Sequence, residues 1–300
     1  MKQGVTKHKL YKKLVLERKT LTTSHILTLD QERCFGCGIC AITCPKEVVK
    51  LSLATIRDGK LVRSPLVDFD ANKCTFCGEC VALCPTNAIR IQVDGVERIP
   101  VVEDEVFPSL MKEITLNAEK CWGGAIETAC DLDCEKACPM EAINVSIECV
   151  GAERVGRIVN VEIDRQKCIF CKKCEVACPK DAIYVVKPIQ GFIQLDTDLC
   201  PEGCQVCADI CPSEAISFGE DGKPLVNEEF CIYCGACEEV CPEKAIGISR
   251  TQVLHTYVQS GAWIIALEKI ASYRSVFNEV NSKSDKKRRE TVKNTFKMSI

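Results

Sequence analysis

The spacing of the cysteines is the feature of this sequence that points most directly to chemistry. Of the 25 cysteines among 300 residues, 24 fall into six groups of four, and every group ends in Cys-Pro. Four groups read C-x2-C-x2-C-x3-C-P and begin at Cys34, Cys74, Cys168 and Cys231. The group beginning at Cys200 has three residues in its first gap, and the group beginning at Cys121 has eight. This repeat indicates one kind of metal site, built several times.

The spacing favours four-iron, four-sulfur clusters over other cysteine chemistry. Three thiolates on one tight loop can reach three corners of a cubane, and the amides of the loop then point at the sulfurs. A lone C-x2-C also occurs in zinc ribbons, but the full pattern with its proline is repeated four times here. The histidines, His8, His25 and His255, lie outside the cysteine groups, which argues against mixed Cys/His zinc fingers and Rieske centres.

Each predicted cluster draws its ligands from two groups. In the two-cluster arrangement, the fourth cysteine of one group ligates the cluster that the other group holds, so successive groups pair into three domains. We name the six predicted [4Fe-4S] sites A to F. Their ligands are Cys34, Cys37, Cys40 and Cys84 (site A); Cys74, Cys77, Cys80 and Cys44 (site B); Cys121, Cys130, Cys134 and Cys178 (site C); Cys168, Cys171, Cys174 and Cys138 (site D); Cys200, Cys204, Cys207 and Cys241 (site E); and Cys231, Cys234, Cys237 and Cys211 (site F).

The group beginning at Cys121 departs most from the pattern. It keeps four cysteines and the closing Pro139, and its second gap is also one residue longer than usual. We therefore expect a bound cluster at site C with altered surroundings, because the insertion from Trp122 to Ala129 lengthens only the loop. The alternative is an enzyme whose catalytic cluster has an open iron at this site. Cys149 belongs to no group and is interpreted as a small buried apolar residue.

Short segments rich in β-branched residues separate the cysteine groups, among them HILTLD, PLVDFD, RIVNVEI and FIQLD. The order strand, cysteine loop, short helix, strand recurs twice per domain, which predicts an α+β fold class with three tandem two-cluster domains and a C-terminal helical extension. The predicted boundaries are 1–23 for a basic, flexible N-terminal arm, 24–100, 101–190 and 191–250 for the three domains, and 251–300 for a C-terminal helix and basic tail.

Composition narrows the class of protein further. No apolar signal segment and no apolar run of about 20 residues is visible in the sequence, so we expect a cytoplasmic protein without a membrane span, whose cysteines bind metal and do not form disulfides. Residues 20–250 carry more acidic than basic side chains, whereas both ends are basic. A basic face on a folded domain is the mark of nucleic-acid binding, so no nucleic-acid partner is expected.

The C-terminal segment allows two interpretations. The run GAWIIALEKIASYRSVFNEV places apolar side chains on one stripe of a helix. One interpretation is that this helix packs against the third domain. The other is that it docks on a partner subunit, with KKRRE (286–290) contacting an acidic surface. The predicted partner-binding residues are Trp263, Leu267, Ile270 and Phe277.

Beyond the cysteine groups, the sequence resembles a known family. Residues 25–250 resemble bacterial-type two-cluster ferredoxins arranged in tandem, which is the arrangement of a polyferredoxin. The segment GVERIPVVEDEVFPSLMKEITLNAEKC (95–121) is similar to the linker after the first domain in the polyferredoxin component of archaeal formylmethanofuran dehydrogenase. Better-known members of that family carry eight clusters, whereas this sequence has cysteines for six.

The resemblance implies three ferredoxin-like domains and low-potential electron transfer through six [4Fe-4S] clusters. It implies a subunit of a larger redox complex in an archaeon, one that receives electrons from a redox donor protein and delivers them to a molybdenum or tungsten formylmethanofuran dehydrogenase for CO2 reduction. The alternatives are a polyferredoxin linked to hydrogenase or heterodisulfide reductase, and a freely diffusing carrier. We expect no catalysis by the chain itself, because neither G-x-G-x-x-G opening a βαβ unit nor a Walker loop is present.

The ligand count generates a first prediction. Anaerobically purified protein should contain about 24 iron atoms and as much acid-labile sulfide per chain, since each site holds four of each. Iron and sulfide analysis checks this. A content of about 20 would mean that one cysteine group is empty.

Overall fold

The chain folds into three modules of the same construction. The structure is a computed structural model that describes residues 4–122, 130–150, 155–258 and 260–271. The strands in these ranges are β1 (Gly4–Leu10), β2 (Lys13–Lys19), β3 (Ser24–Asp30), β4 (Val49–Leu51), β5 (Thr55–Arg57), β6 (Lys60–Arg63), β7 (Val67–Phe69), β8 (Ile89–Val93), β9 (Val96–Glu97), β10 (Glu113–Leu116), β11 (Ile143–Val150), β12 (Val155–Ile163), β13 (Ile183–Val186), β14 (Ile189–Leu195), β15 (Ile216–Phe218), β16 (Pro224–Val226) and β17 (Ile246–Val253).

The helices in the same ranges are short except for the last. They are α1 (Ile39–Thr43), α2 (Glu79–Ala82), α3 (Pro100–Glu103), α4 (Ala118–Trp122), α5 (Asp133–Lys136), α6 (Lys173–Ala177), α7 (Val206–Asp209), α8 (Ala236–Val240) and α9 (Gly261–Ile270), with a 3-10 turn at Thr197–Leu199. Within the part of the chain that the structure describes, no helix has the length and apolar character needed to cross a membrane.

Each module is built around four strands in two antiparallel pairs; in the first module these are β3, β4, β7 and β8. Its first strand pairs with its last, as β3 with β8, β10 with β13, and β14 with β17. Its second strand pairs with its third, as β4 with β7, β11 with β12, and β15 with β16. A cysteine group and a short helix follow the first and the third strand of every module. This confirms the predicted α+β class of tandem ferredoxin-type domains.

The N-terminal residues form part of the first module. Strands β1 and β2 form a hairpin, and β2 pairs with β3, so that the sheet has the order β1-β2-β3-β8-β9. The prediction of a flexible arm over 1–23 is wrong for these residues. The reason is the alternation in KLVLERK, which turns Leu14 and Leu16 to the core, where they are 1% and 0% exposed. Because basic side chains are so frequent in this segment, its strand pattern is hard to recognise in the sequence.

Helix α9 packs against its own chain. Its stripe contributes Trp263, Leu267 and Ile270, which are 0%, 2% and 3% exposed. The interpretation of these three residues as partner contacts is therefore corrected, because their side chains are already buried. Phe277 and the run 286–290 lie outside the described residues.

The helix covers a seam between the first and third modules. Trp263 and its neighbours pack against Ile39 and Leu83 of the first module and Val253 at the end of β17. Phe107 meets the Trp263 ring edge-on, with 5.3 Å between the ring centroids. The interpretation that α9 packs on the third module thus holds in part, since the first module supplies much of the contact.

A second contact joins the same two modules. The hairpin β5–β6 extends from the first module to helix α7, where the Asp209 carboxylate accepts a hydrogen bond from the Leu61 amide at 2.9 Å. The amide of Gln205 donates to the carbonyl of Gly59 at 2.6 Å. The strands of the third module run from Ile189 to Val253, slightly wider than the predicted 191–250.

The buried hairpin generates a second prediction. The substitution Leu16→Ala should lower the free energy of unfolding by about 2–5 kcal/mol, because it removes a fully buried side chain from the first module's core. The matched control is Leu10→Ala in the same hairpin, where the side chain is 60% exposed and the change should stay within about 0.5 kcal/mol. Urea unfolding of the iron-loaded protein, followed by circular dichroism, measures both. Equal midpoints for the two variants would contradict the packing of β2.

Candidate metal centres

The four regular cysteine loops curl back on themselves through two left-handed residues each. The second residue of the first gap has positive φ, at Gly36, Phe76, Phe170 and Tyr233. The first residue of the second gap also has positive φ, at Gly38, Gly78, Lys172 and Gly235. For Phe and Tyr this conformation costs on the order of 1 kcal/mol each. Such strain at equivalent positions of separate loops points to a shape that a bound group requires.

The curled loops direct amides at sulfur. The amide of Phe170 donates to Cys168 Sγ at 3.4 Å, and that of Tyr233 donates to Cys231 Sγ at 3.3 Å. These donors stabilise negative charge on sulfur, which the ligands of an iron–sulfur cluster carry.

A second turn follows the Cys-Pro of all six groups. The third residue after the last cysteine has positive φ and donates its amide to that cysteine's carbonyl; these residues are Glu47, Asn87, Glu141, Asp181, Glu214 and Lys244. In five groups the amide of the next alanine donates to the cysteine Sγ, at 3.2 Å for Ala88 and 3.3 Å for Ala142, Ala182, Ala215 and Ala245. The group that begins at Cys121 keeps this turn.

The cysteines of three predicted ligand sets line one cavity each. Every set combines three cysteines of one group with the last cysteine of another. The cavities are lined by Cys34, Cys37, Cys40 and Cys84 (site A), by Cys121, Cys130, Cys134 and Cys178 (site C), and by Cys138, Cys168, Cys171 and Cys174 (site D). Four thiol donors around a small, mostly apolar cavity are the donor set of a [4Fe-4S] cluster.

The cysteines of the other three sites lie close to one another. At site B, burial raises the pKa of Cys80, and the thiols of Cys77, Cys74 and Cys44 raise it further. Burial also raises the pKa of Cys231 at site F to about 12. The neighbouring thiols of Cys234 and Cys211 contribute to the raised pKa of Cys231. At site E, burial raises the pKa of Cys200, and the thiols of Cys241 and Cys204 also contribute. Buried thiols grouped in this way fit a cationic iron cluster, which stabilises them as thiolates.

Site C is assembled differently from the others. Cys121 lies in helix α4, and its carbonyl accepts a hydrogen bond from Lys180 Nζ at 3.0 Å. Leu132, with φ 60°, replaces the usual left-handed residue before the following helix, α5. The pKa of Cys134 is raised to about 11, chiefly by burial and then by the neighbouring thiols of Cys130, Cys178 and Cys121. The irregular group thus delivers its cysteines to one place, although residues 123–129 of its loop lie outside the described part of the chain.

Within the described ranges, no group of three or more His, Cys, Asp or Glu side chains is arranged to hold a single metal ion. The cysteines surround cavities instead, with sulfurs drawn from two groups. Cys149 occupies β11, where its backbone is opposite Gly156.

Sequence reasoning missed the cations around these sites. Arg250 is 9% exposed, and its guanidinium donates to the carbonyls of Tyr233 at 2.8 Å, Cys234 at 2.6 Å and Ile270 at 3.1 Å. It therefore places a positive charge beside site F and ties the end of α9 to that loop. Lys112 and Lys187 contact other cysteine carbonyls. No spacing signal could identify these residues, since only the fold brings them to the cysteines.

Family models agree with this construction. A model described as "4Fe-4S dicluster domain" matches residues 33–88, 73–142 and 199–245, which together make up more than half of the chain. A model described as "4Fe-4S binding domain" matches residues 161–184. The chain belongs to the 4Fe-4S dicluster domain family, and it carries the domain in tandem.

Individual curated relatives match parts of the chain. The chain is 32% identical over 91 residues to the "Putative oxidoreductase UacF" of Escherichia coli, covering 29% of this chain and 12% of that protein. It is 35% identical over 95 residues to the "Aliphatic sulfonate oxidoreductase, polyferredoxin-like subunit" of Pyrococcus furiosus, covering 28% and 55%. The chain thus spans well under two thirds of either relative.

A solved structure resembles nearly the whole chain. It is a chain of the "Formate dehydrogenase - heterodisulfide reductase - formylmethanofuran dehydrogenase complex from Methanospirillum hungatei". The two are 30% identical, with a TM-score of 0.75, and the match covers 91% of this chain and 92% of that one.

The irregular group generates a third prediction. The substitution Cys130→Ser should lower the iron content by about four atoms per chain, because it removes one of the four thiols around the cavity of site C. The control Cys149→Ser should leave the iron content unchanged. Iron analysis measures both variants. Full iron in Cys130→Ser would show that site C does not hold a cluster through this residue.

Proposed function

We propose that the chain binds six [4Fe-4S] clusters at sites A to F and transfers electrons as the polyferredoxin component of a formylmethanofuran dehydrogenase complex. The observation that carries electron transfer is the closeness of the two sites within each module. In each module, the two short helices that carry the third cysteine of a group pack against each other: α1 against α2, α5 against α6, and α7 against α8. The third cysteine of one site therefore lies near a cysteine of the other site in the same module. These neighbours are Cys80 and Cys84 for sites B and A, Cys174 and Cys134 for sites D and C, and Cys237 and Cys207 for sites F and E.

The chemistry that the clusters supply when bound is reversible one-electron exchange at low potential, about −400 mV or below for ferredoxin-type cysteine ligation. The chain's own residues set the conditions for it. The cysteine loops fix the positions of the sulfurs, amide donors such as that of Ala182 stabilise sulfur charge, and buried residues such as Phe76 exclude water. The packing of two short helices in each module, such as α1 against α2, keeps the two sites of that module close together.

The likeness over 91% of the chain to a component of the Methanospirillum hungatei complex supports the specific assignment. The match also covers 92% of the length of that component, which supports a chain of this size in such a complex. The same complex contains heterodisulfide reductase, so a polyferredoxin that serves this enzyme is the second candidate. Site C counts against a catalytic open-iron cluster, since its cavity is lined by four cysteines.

A reconstitution experiment tests the assignment. The iron-loaded protein, added to formylmethanofuran dehydrogenase that lacks its polyferredoxin, should stimulate CO2-dependent formation of formylmethanofuran with titanium(III) citrate as the donor. The same addition to heterodisulfide reductase is the comparison. Stimulation of the reductase alone would establish the second candidate.

The control separates carrier function from partner choice. A chain that takes up about six electrons in a titration monitored by electron paramagnetic resonance (EPR), yet stimulates neither enzyme, would keep the electron-transfer assignment and overturn the choice of complex.

A further inference from the structure

Three sites from three different modules meet in one hydrophobic cluster. The cluster contains Cys171 of site D and Cys234 of site F, and Cys37 of site A packs against it. Each of them is the second cysteine of its group. Cysteines of site E join the cluster from within the third module. A chain of sites that followed the sequence would connect the first module to the second and the second to the third. The cluster also brings the first module directly against the third.

Sites A and F are in direct contact. Cys234 belongs to site F, yet it lines the cavity of site A. The loops approach so closely that a Cβ on Gly235 would stand 3.8 Å from the carbonyl oxygen of Cys37. Burial raises the pKa of Cys37, and the next largest contribution is the thiol of Cys234.

Sites A and D are joined by hydrogen bonds through Lys112 and Asn87. Lys112 Nζ donates to the carbonyl of Cys84 at 3.2 Å and to Asn87 Oδ1 at 2.9 Å. Asn87 Nδ2 donates in turn to the carbonyl of Cys168 at 3.4 Å. Lys112 is half-buried, and desolvation lowers its pKa, while Cys84 and Cys168 act in the opposite direction. One ammonium group therefore faces a ligand of each site.

Sites D and F meet where Cys171 and Cys234 pack in the same hydrophobic cluster, and Lys187, which is hydrogen-bonded to site F, lies close to this contact. Its Nζ donates to the carbonyls of Cys231 at 3.1 Å, Glu228 at 3.1 Å and Glu229 at 3.0 Å. It lies 5.3 Å from the centroid of the Tyr233 ring. Cys231 and Cys171 both act on its pKa, raising it against the effect of burial. Each of these lysines thus lies at a boundary between two modules and between two sites.

We infer that sites A, D and F form a three-way junction, from which sites B, C and E branch as three separate terminals, and that Lys112 and Lys187 are positioning residues of the junction. The inference rests on the proposed function, since it requires bound clusters. When one electron moves from site A to site D, site A is oxidised by one electron and site D is reduced by one, with no proton transferred and no bond changed. The electron is supplied by a low-potential one-electron donor.

The physical role of the lysines follows from charge. A reduced [4Fe-4S] centre with four thiolates carries more negative charge than an oxidised one, so a nearby ammonium group stabilises the reduced form. Because each ammonium lies between two sites, it should act on both midpoint potentials at once. Such a charge favours residence of the electron at the junction over the terminals. A chain with a branched path could exchange electrons with three redox proteins.

Potentiometric titration followed by EPR tests the lysines. In Lys112→Met, two titration waves should move to lower potential, those of sites A and D. In Lys187→Met, the waves of D and F should move, so one wave is common to both variants. Lys112→Arg, which keeps the charge, should restore the wild-type titration. The matched control is Lys180→Met, because among the described residues Lys180 donates only to the carbonyl of Cys121 and should move only the wave of site C.

Iron content is measured first, so that loss of a cluster is not mistaken for a change in midpoint potential. If Lys112→Met binds less iron than wild type, Lys187→Met decides the question. Movement of a single wave, or of none, in an iron-loaded lysine variant overturns the shared junction. The proposed function has a different point of failure, because two moving waves with no stimulation of formylmethanofuran dehydrogenase would leave the junction intact.

A second measurement tests the direct contact between A and F. In Cys171→Ser, which removes a ligand of site D, an electron should still pass between the first and third modules. Freeze-quench EPR after addition of less than one equivalent of dithionite should show redistribution at a rate independent of protein concentration. A rate that becomes proportional to concentration would mean that site D is required, and would overturn the three-way arrangement.

Discussion

The sharing of each four-cysteine set between two halves of a module is the constraint on which the rest of the structure depends. Three thiols come from one curled loop, and the fourth comes from the turn after a helix that belongs to the other loop. This exchange requires the two short helices to pack together and the first strand of the module to return beside the last. The strand pairs β3–β8, β10–β13 and β14–β17 satisfy this requirement three times.

Small modules of this kind bury little apolar surface of their own. Their strands are as short as three residues, as in β4 and β7, and several buried positions are the cysteines themselves. Metal binding therefore contributes directly to folding, as in other small metal-dependent domains. The first module gains additional core from the β1–β2 hairpin, and the seam between modules one and three gains it from helix α9. Both additions stabilise the scaffold without supplying a ligand.

Charge is the second organising factor. Thiolates bound to iron bring net negative charge into a desolvated interior, which is costly unless donors or cations compensate it. Backbone amides of the cysteine turns supply the local compensation. Lys112 and Lys187 at the boundaries between modules, and Arg250 within the third module, direct cationic groups to the carbonyls of cysteine residues. Lys112 and Asn87 also join the first module to the second by hydrogen bonds, so there the positions of the sites and the distribution of charge are set together.

The sequence by itself determined the local chemistry. The repeated C-x2-C-x2-C-x3-C-P, with β-branched runs before each group, predicted the tandem α+β modules, because ligand spacing and period-two strands are short-range properties. It also marked the group at Cys121 as complete despite its insertion. The strand character of the N-terminal hairpin was hidden by its basic side chains, although the alternation around Leu14 and Leu16 was present.

Only the tertiary structure decided how the modules meet. The burial of Trp263, the approach of Cys234 to site A and the position of Lys112 between Cys84 and Cys168 join residues far apart in the chain. Such contacts depend on the summed packing of three modules, and no short sequence pattern encodes that sum. The cysteine groups and the kind of site that they build are therefore a property of the sequence, while the contacts between sites are a property of the fold.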